Sequence, residues 1–560
     1  MSRRQAPTRA GVRSAAVAPP PDLRRSSPGA WRERLPASEP ALFACFLVLG
    51  VVFMFHRVLA SGFHQTAGDY VDHLLGSFTC EHELRWLIGR PDHAALWDPP
   101  VFFPARGVLV YAETLLGAAP YYGLWRLLGF GPETAYQLWL MTLPALNFAA
   151  AFLLFRGGFG FRRLPAAAGS FLCAFGNELA SQVNNPQLQT IFYTYLAVYF
   201  LCRLFRGAGP HPWSAAGFVA SITAQIYSCF YLGWLSLFLL GLAAIYLLAA
   251  ADRRRRLFEV LRWNAVPLVT AAAAAAVVLS PFLIRAVAVV RGLGWSNDPA
   301  VLLPEPRSWF YMGRRSLLYF WFSRSPVFAG LEGEPEQRLG LGAATAICAA
   351  LGYWRARGNP WMRLLLVLGV ALVALTTELP GGFSLWHGVR LLVPGARAVR
   401  YVSRAGIMLL LPAAAGLAAF VAARRQGLAT LALVGLCCAE QVYSEYTFSK
   451  DMERRRVRSF AAAVTPGCRS IYLAVREGGG TSSPAWVYQA EIMLAQLQGS
   501  VPFVNGGYTR FQPPGYGSLS QNVIKTEADV ERLKRDLAAW QAVHGLKDGD
   551  VCWTEVAAPR

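Results

Sequence analysis

The stretch "ALFACFLVLGVVFMFHRVLA", residues 41–60, decides the class of fold. An apolar run of this length, folded as a helix, crosses the roughly 30 Å of hydrocarbon in a bilayer. Runs of roughly 17 to 25 residues recur as far as residue 444 and then stop. With 54% hydrophobic and 15% charged residues, the 560-residue chain does not have the composition of a soluble protein. The sequence therefore predicts a mainly α, polytopic membrane helix bundle.

The basic residues lie mostly in the short segments between apolar runs. A net charge of +20 would suggest nucleic acid as the partner of a soluble protein, but this distribution follows the positive-inside rule instead. We expect no nucleic-acid partner, an N-terminus inside and a C-terminus outside, with about eleven spans. The predicted spans are residues 41–60, 132–155, 164–180, 188–205, 213–229, 231–250, 263–284, 339–354, 361–377, 405–423 and 428–444.

One further apolar segment, residues 114–130, complicates this topology. It contains Pro120 and Arg126, and counting it as a span would reverse every later loop. We expect it to form a helix that lies on, or dips into, the outer face.

The chain divides into three regions. Residues 1–40 are rich in Arg, Pro, Ala and Ser and are predicted to form a disordered basic cytoplasmic tail. Residues 41–445 form the transmembrane domain, with outer loops at 61–131, 285–338 and 378–404. Residues 446–560 are predicted to form a small extracytoplasmic α/β domain, since "RSIYLAV" and "GDVCWTEV" alternate like strands. Cys468 and Cys552 lie near those strands, where an oxidising compartment would allow a disulfide.

The segment "AGDYVDHLLG", residues 67–76, follows the first span closely. If Asp69 begins a helix, Asp72 and His73 lie three and four residues on and share its face. One interpretation is a solvated helix start, with acids at the favourable end of the helix dipole. The other is an acidic cavity at the lipid surface, to which the same loop would add further acids. These are Glu81, Glu83, Asp98 and Glu113, although a DP turn at Asp98 is typical of a structural role.

The last outer loop carries the opposite charge in "HGVRLLVPGARAVRYVSRAG", residues 387–406. Its arginines are Arg390, Arg397, Arg400 and Arg404. They could anchor the chain to lipid headgroups. They could also recognise a phosphate, for which the forked donors of guanidinium are well suited. In the preceding outer loop, Glu336 lies next to a span start and is the acid expected to face a cavity.

Several segments resemble the bacterial members of the GT-C glycosyltransferase superfamily. They include "GDYVDH", "LWDPPVFFPARGVLVYAETLLG", "NNPQLQTIFYTYL", "EPEQRLGLGAA", "VPGARAVRYVSRAGIMLLLPAAAGLA" and "VPFVNGGYTRFQPPGYG". The resemblance implies a multi-pass enzyme of the bacterial inner membrane with its active site on the extracytoplasmic face. It also implies transfer of a sugar, with inversion, from a polyprenyl-phosphate or pyrophosphate carrier to a lipid, glycan or protein acceptor.

The resemblance also implies roles for individual residues. Asp69 matches the first-loop acid that serves as general base, and Asp72 would be its reserve or a metal-binding partner. The substrate-binding candidates are His73, Glu113, Asn185, Gln187, Glu336, Arg397, Arg400 and Arg404. Asn185 stands where many relatives have His, which weakens a metal site there. Asp69 and Asp72 could still hold Mg²⁺ or Mn²⁺, whose preferred ligands are oxygens.

Two other functions fit the same pattern. A flippase or transporter for lipid-linked saccharides would also need membrane arginines, but transporters place ionisable residues around a midplane site. The acids in the predicted spans, by contrast, lie near span ends, as with Glu133, Glu178 and Glu440. A non-catalytic scaffold for polysaccharide assembly is the third hypothesis.

Overall fold

The computed structural model describes residues 38–292, 302–464, 467–478, 482–507 and 512–559. The predicted disordered tail therefore lies almost wholly outside the described residues. Helices dominate the described chain up to residue 440, and each predicted span contains one. The span helices are α1 (Ser38–Ala60), α4 (Pro132–Leu153), α5 (Arg163–Phe175), α7 (Phe192–Arg206), α8 (Pro212–Ser228), α9 (Phe230–Leu248), α11 (Ala265–Gly292), α12 (Ala343–Arg355), α13 (Pro360–Thr376), α15 (Leu410–Ala422) and α16 (Leu428–Glu440).

Length and composition distinguish some of these helices from the rest. Within the described ranges, six are long and apolar enough to cross a membrane: Glu39–Ala60, Pro132–Gly158, Pro186–Arg206, Phe230–Leu248, Ala265–Val289 and Val402–Ala422. Pro360–Thr376 and Leu428–Glu440 are apolar but shorter. The chain is thus a polytopic helical membrane protein, while the count of about eleven spans and their orientation stay predictions.

Five further helices lie between the span helices. They are α2 (Tyr70–Leu87), α3 (Ala119–Leu127), α6 (Asn177–Ala180), α10 (Ala251–Trp263) and α14 (Trp386–Leu392). At about 1.5 Å per residue, the nine residues of α3 rise only about 14 Å. This is too short to cross a bilayer, in agreement with the expectation for residues 114–130. Helix α10 occupies the basic segment between the predicted spans 231–250 and 263–284.

The predicted span 164–180 is broken, contrary to the sequence-based expectation. Helix α5 ends at Phe175, and Gly176 adopts an extended conformation before the single turn of α6. A Cβ on Gly176 would lie 2.6 Å from the Leu172 carbonyl oxygen and 2.7 Å from the Leu410 side chain. Glycine is therefore required where the two helices meet, and the break brings residues 177–185 to one end of the bundle.

Helix α15 occupies the centre of the bundle. Of the apolar window within Val402–Ala422, 83% is buried, against 6% for Ala265–Val289, which faces the surroundings. Close packing at α15 depends on small residues: a Cβ on Gly352 of α12 would lie 1.8 Å from the Gly416 carbonyl oxygen. Residues joined to the end of α15 are consequently held by the most rigid part of the fold.

The C-terminal region folds as predicted into a small α/β unit. Its elements are β2 (Thr447–Ser449), α17 (Lys450–Ala461), β3 (Ser470–Arg476), α18 (Ala485–Gln496), β4 (Val523–Ile524), α19 (Glu527–Val543) and β5 (Val551–Ala557). The three strands β4, β3 and β5 are parallel and lie in that order, with Ser470 opposite Val551. A disulfide joins Cys468 to Cys552.

This α/β unit shares its core with the first outer loop. Strand β1 (Gln65–Ala67) pairs antiparallel with β2. Phe102 is fully buried in the hydrophobic cluster of the C-terminal region, and its backbone amide donates to Asn505 at 3.1 Å. Trp540 donates from its indole to the Phe103 carbonyl at 3.2 Å. Residues 61–131 and 446–559, which the sequence treats as separate regions, therefore pack together.

Candidate functional site

Asp69 caps helix α2. Its Oδ1 accepts from the backbone amides of Val71 at 2.9 Å and Asp72 at 3.3 Å, as an N-cap acid does. Gly68, at φ +104°, lies against Asn184, whose Cα would be 3.1 Å from an added Cβ. The carboxyl of Asp69 is exposed, and its Oδ2 accepts no hydrogen bond within the described structure. Oδ1 of Asp69 thus caps the helix, while Oδ2 is free to interact with a substrate.

Asp72, one turn further along α2, has more charged neighbours. Burial, and then the charge of Asp69, raise the pKa of the Asp72 carboxyl to about 6. The charge of Arg404 and a hydrogen bond from Asn184 act in the opposite direction. Glu336 also raises this pKa. Residues from three predicted outer segments therefore act on one carboxyl group, which is poised to gain or lose a proton near neutral pH.

Arg404 forms a two-point ion pair with Glu336. Its Nη2 lies 2.6 Å from Oε1 and its Nε 3.0 Å from Oε2, with both side chains nearly buried. Nη2 also donates to Asn185 Oδ1 at 3.4 Å, which accepts from Gln187 at the same distance. Asn185 donates in turn to Gln182 at 2.8 Å. The structure thus brings together four of the predicted residues and adds Gln182 and Asn184, which the sequence analysis did not single out.

Tyr401 connects the two central arginines. The guanidinium carbons of Arg400 and Arg404 lie 4.8 and 4.6 Å from its ring centroid, close enough for cation–π attraction. Arg400 Nε is buried without a hydrogen-bond partner. Arg397 is exposed and makes no ion pair with the described residues. Arg400 and Arg404 thus place two positive charges at the Tyr401 ring, and Arg400 has an unused hydrogen-bond donor. A bound anion would stabilise this site.

Glu113 binds the start of helix α9. Its Oε2 accepts from the Phe230 amide at 2.7 Å, and its Oε1 accepts from Tyr231 at 3.4 Å. Burial raises the pKa of Glu113, whereas these amides and the charge of Arg404 act against that rise. Since both oxygens are engaged, Glu113 positions α9 and Tyr231, whose ring lies 5.9 Å from the Arg404 guanidinium carbon.

His73 points away from this cluster, so the expectation that it shares a face with Asp72 is wrong. The His73 side chain is buried, with Nε2 3.2 Å from Glu453 Oε1. Its ring packs edge-on against Tyr136 and Phe448. Successive helix residues differ by about 100° in direction, so Asp72 faces the arginines while His73 faces the C-terminal unit.

Two other sequence-based expectations concern acids of the first loop. Asp98 accepts from the Gly107 amide at 2.6 Å and from Arg106 at 3.0 Å, which is the structural role expected of a DP turn.

Within the described ranges, no group of three or more His, Cys, Asp or Glu side chains could hold a metal ion. Binding of Mg²⁺ or Mn²⁺ by Asp69 and Asp72 stays a prediction.

Comparison with known proteins gives a structural similarity but no sequence match. No protein-family model matches the chain, and no curated protein sequence matches it. Among solved structures, the chain is similar to ArnT from Cupriavidus metallidurans in the apo state, with 14% identity and a TM-score of 0.35. The match covers 89% of this chain and 91% of that one.

Proposed function

We propose that the chain is a membrane glycosyltransferase that moves a sugar from a polyprenyl-phosphate carrier to an acceptor hydroxyl at the extracytoplasmic face. The observation that carries this proposal is that the Asp72 carboxyl interacts electrostatically both with a second acid, Asp69, and with the Arg404 cation. Such a transfer needs a base for the acceptor and cations for the departing phosphate, and this cluster supplies both.

In the proposed reaction Asp72 acts as the base, and Asp69 is the second acid that interacts with it. Asp72 takes the proton of the acceptor hydroxyl, and the acceptor oxygen attacks the anomeric carbon of the sugar. The bond from that carbon to the phosphate oxygen breaks, so the configuration inverts. Polyprenyl phosphate leaves with an added negative charge, which Arg400 and Arg404 stabilise.

An apolar cavity next to the arginines supports a lipid-borne donor. Met408 and Leu409, at its rim, end the short helical segment Val402–Leu409 that carries Arg404. Ile191, also at the cavity, follows the segment that holds Asn185. Helices α7, α8, α9, α13 and α15 contribute most of its other lining residues, and the cavity volume is about 100 Å³. A polyprenyl chain in this cavity would place its phosphate at Arg400 and Arg404.

The proposal is tested with full-length protein reconstituted into vesicles. We would supply a panel of polyprenyl phosphates carrying radiolabelled hexoses or pentoses, together with lipid and glycan extracts as acceptors. The expected result is transfer of label from at least one donor, with equimolar release of polyprenyl phosphate, and its loss in Asp72→Asn. Movement of intact donor across the vesicle membrane without release of polyprenyl phosphate would instead identify a flippase. The absence of both transfer and flipping with every donor in the panel would favour the scaffold hypothesis.

A further inference from the structure

A second polar pocket lies away from the acid and arginine cluster, between the bundle and the C-terminal unit. Its cavity volume is about 200 Å³. Helices α2, α4, α17 and the end of α18 form its walls. The lining residues are Ser77, Glu81, Arg85, Pro132, Glu133, Glu453, Arg454, Val457, Arg458, Leu494, Leu497 and Gln498. The proposed transfer reaction uses none of them.

Two of the three lining glutamates are already neutralised by arginines. Glu81 accepts from Arg85 at 3.1 Å and from Arg126 at 3.0 Å. Glu133 accepts from Arg454 at 3.2 Å. These pairs hold the walls together and leave little charge for a ligand.

Glu453 is different because half of its carboxylate is unused. It is 1% exposed, and Oε1 is bonded to His73, but the buried Oε2 has no hydrogen-bond partner. A buried carboxylate oxygen without a donor is costly. A ligand that brings a cationic donor into the pocket would remove that cost.

Arg458 provides the opposite unused charge at the same pocket. Its side chain is exposed, and among the described residues no acid pairs with it and no acceptor hydrogen-bonds to it. One small ligand that carries both an ammonium group and an anion would therefore satisfy Glu453 and Arg458 together. The ammonium would donate to Oε2, and the guanidinium would donate to the anion.

The pocket lies at the end of a membrane span. Pro132 and Glu133 are the first residues of the candidate span Pro132–Gly158, so its lining lies at the depth of the lipid headgroups. Leu494 and Leu497 add apolar surface. From the paired charges and this depth, we propose that the pocket binds a compact zwitterion with a primary ammonium and a phosphate, as in a phosphoethanolamine headgroup. This inference is independent of the proposed transferase activity.

Native mass spectrometry of the detergent-purified full-length chain tests the proposal. Phosphatidylethanolamine, phosphatidylcholine and phosphatidylglycerol with identical acyl chains would be titrated separately. We expect retention of phosphatidylethanolamine over phosphatidylcholine by about tenfold, because a trimethylated ammonium has no hydrogen to donate to Glu453. Phosphatidylglycerol, which lacks a cation, should be retained as weakly as phosphatidylcholine. Equal retention of the three lipids would overturn the proposal.

Variants separate this pocket from general lipid binding. Glu453→Gln keeps an oxygen for His73 but loses the charge, so it should abolish the preference for phosphatidylethanolamine. Arg458→Gln should weaken binding of the same lipid with no effect on folding. Arg455→Gln is the matched control, since Arg455 lies on the same helix but does not line the pocket. A preference that survives both pocket substitutions would refute the assignment.

Soluble phosphoethanolamine distinguishes the two sources of the ligand. Displacement of bound phosphatidylethanolamine by millimolar phosphoethanolamine would show that the zwitterion alone is recognised. Retention of the lipid under those conditions, with the preference still dependent on Glu453, would show that the acyl chains also contribute.

Discussion

Arg404 and Glu336, 68 residues apart in the chain, meet in a nearly buried two-point ion pair with contacts of 2.6 and 3.0 Å. This pair fixes the guanidinium plane beside Tyr401 and within electrostatic reach of Asp72. The geometry of the candidate site therefore depends on Glu336 as much as on the arginine that would meet the phosphate.

The acid pair makes a prediction about the pH dependence of transfer. Activity should fall as pH drops below about 6, because the proposed base must be ionised. Asp69→Asn removes a like charge that raises the pKa of Asp72, so the acidic limb of kcat/KM should move to lower pH. Asp72→Asn should lower kcat by about 100-fold or more. Complete loss of transfer in Asp69→Asn, with partial activity in Asp72→Asn, would identify Asp69 as the base.

The same raised pKa has a consequence for stability. Protonated Asp72 is favoured in the folded state, so its stabilising contribution is complete below pH 3.8 and is lost as pH rises through about 6. Asn at position 72 stays neutral at every pH. Asp72→Asn should therefore raise the Tm at pH 8, by an amount corresponding to about 3 kcal/mol, and leave it unchanged near pH 4. A lower Tm at pH 8 would contradict the assigned burial of the charge.

Arg400 should contribute to binding but not to folding. It makes no ion pair with the described residues, and its buried Nε has no partner. Arg400→Gln should weaken binding of polyprenyl phosphate, measured by isothermal titration in detergent, by about tenfold. Its Tm should match that of the parent. Arg397→Gln is the control, since Arg397 is exposed and lies outside the cluster; a loss of the same size in that variant would indicate unspecific electrostatic attraction.

Breaking the Arg404–Glu336 pair should cost folding stability. The side chains are only 13% and 12% exposed, so Glu336→Ala leaves an uncompensated cation and should lower the free energy of unfolding by about 3–5 kcal/mol. Adding Arg404→Ala should recover part of that loss, because the double variant has no unpaired charge. Strictly additive losses in the double-mutant cycle would show that the two side chains do not interact.

The disulfide tests the predicted placement of the C-terminal unit. Cys468 and Cys552 are 84 residues apart, so Cys468→Ser should lower stability by about 2–5 kcal/mol. In intact cells, a membrane-impermeant maleimide should label the two thiols only after mild reduction, since disulfides persist in oxidising compartments. Labelling without reductant would place the C-terminal unit on the reducing side or show that the bond does not form there.

Sequence reasoning succeeded where the signal is local. Apolar runs predict helices because the hydrocarbon requires every backbone group to be bonded within its own segment. The break at Gly176 was missed because the crowding at this position, by the Leu172 carbonyl and by Leu410 on the distant helix α15, leaves no mark in the apolar pattern. His73 was placed wrongly for a similar reason: a spacing of one residue cannot show which side of α2 the C-terminal unit will cover.

The sequence by itself determined that this is a membrane helix bundle with an α/β unit at its C-terminus, because hydropathy and strand alternation are properties of adjacent residues. It also supplied the acids and arginines of the candidate site. Only the tertiary structure decided how they combine. Asp72 interacts electrostatically with Arg404, and Glu336 forms an ion pair with the same arginine. Phe102 is buried in the core of the C-terminal unit. These contacts join segments far apart in the chain, and the packing of helices and loops that brings them together is not encoded in any one segment.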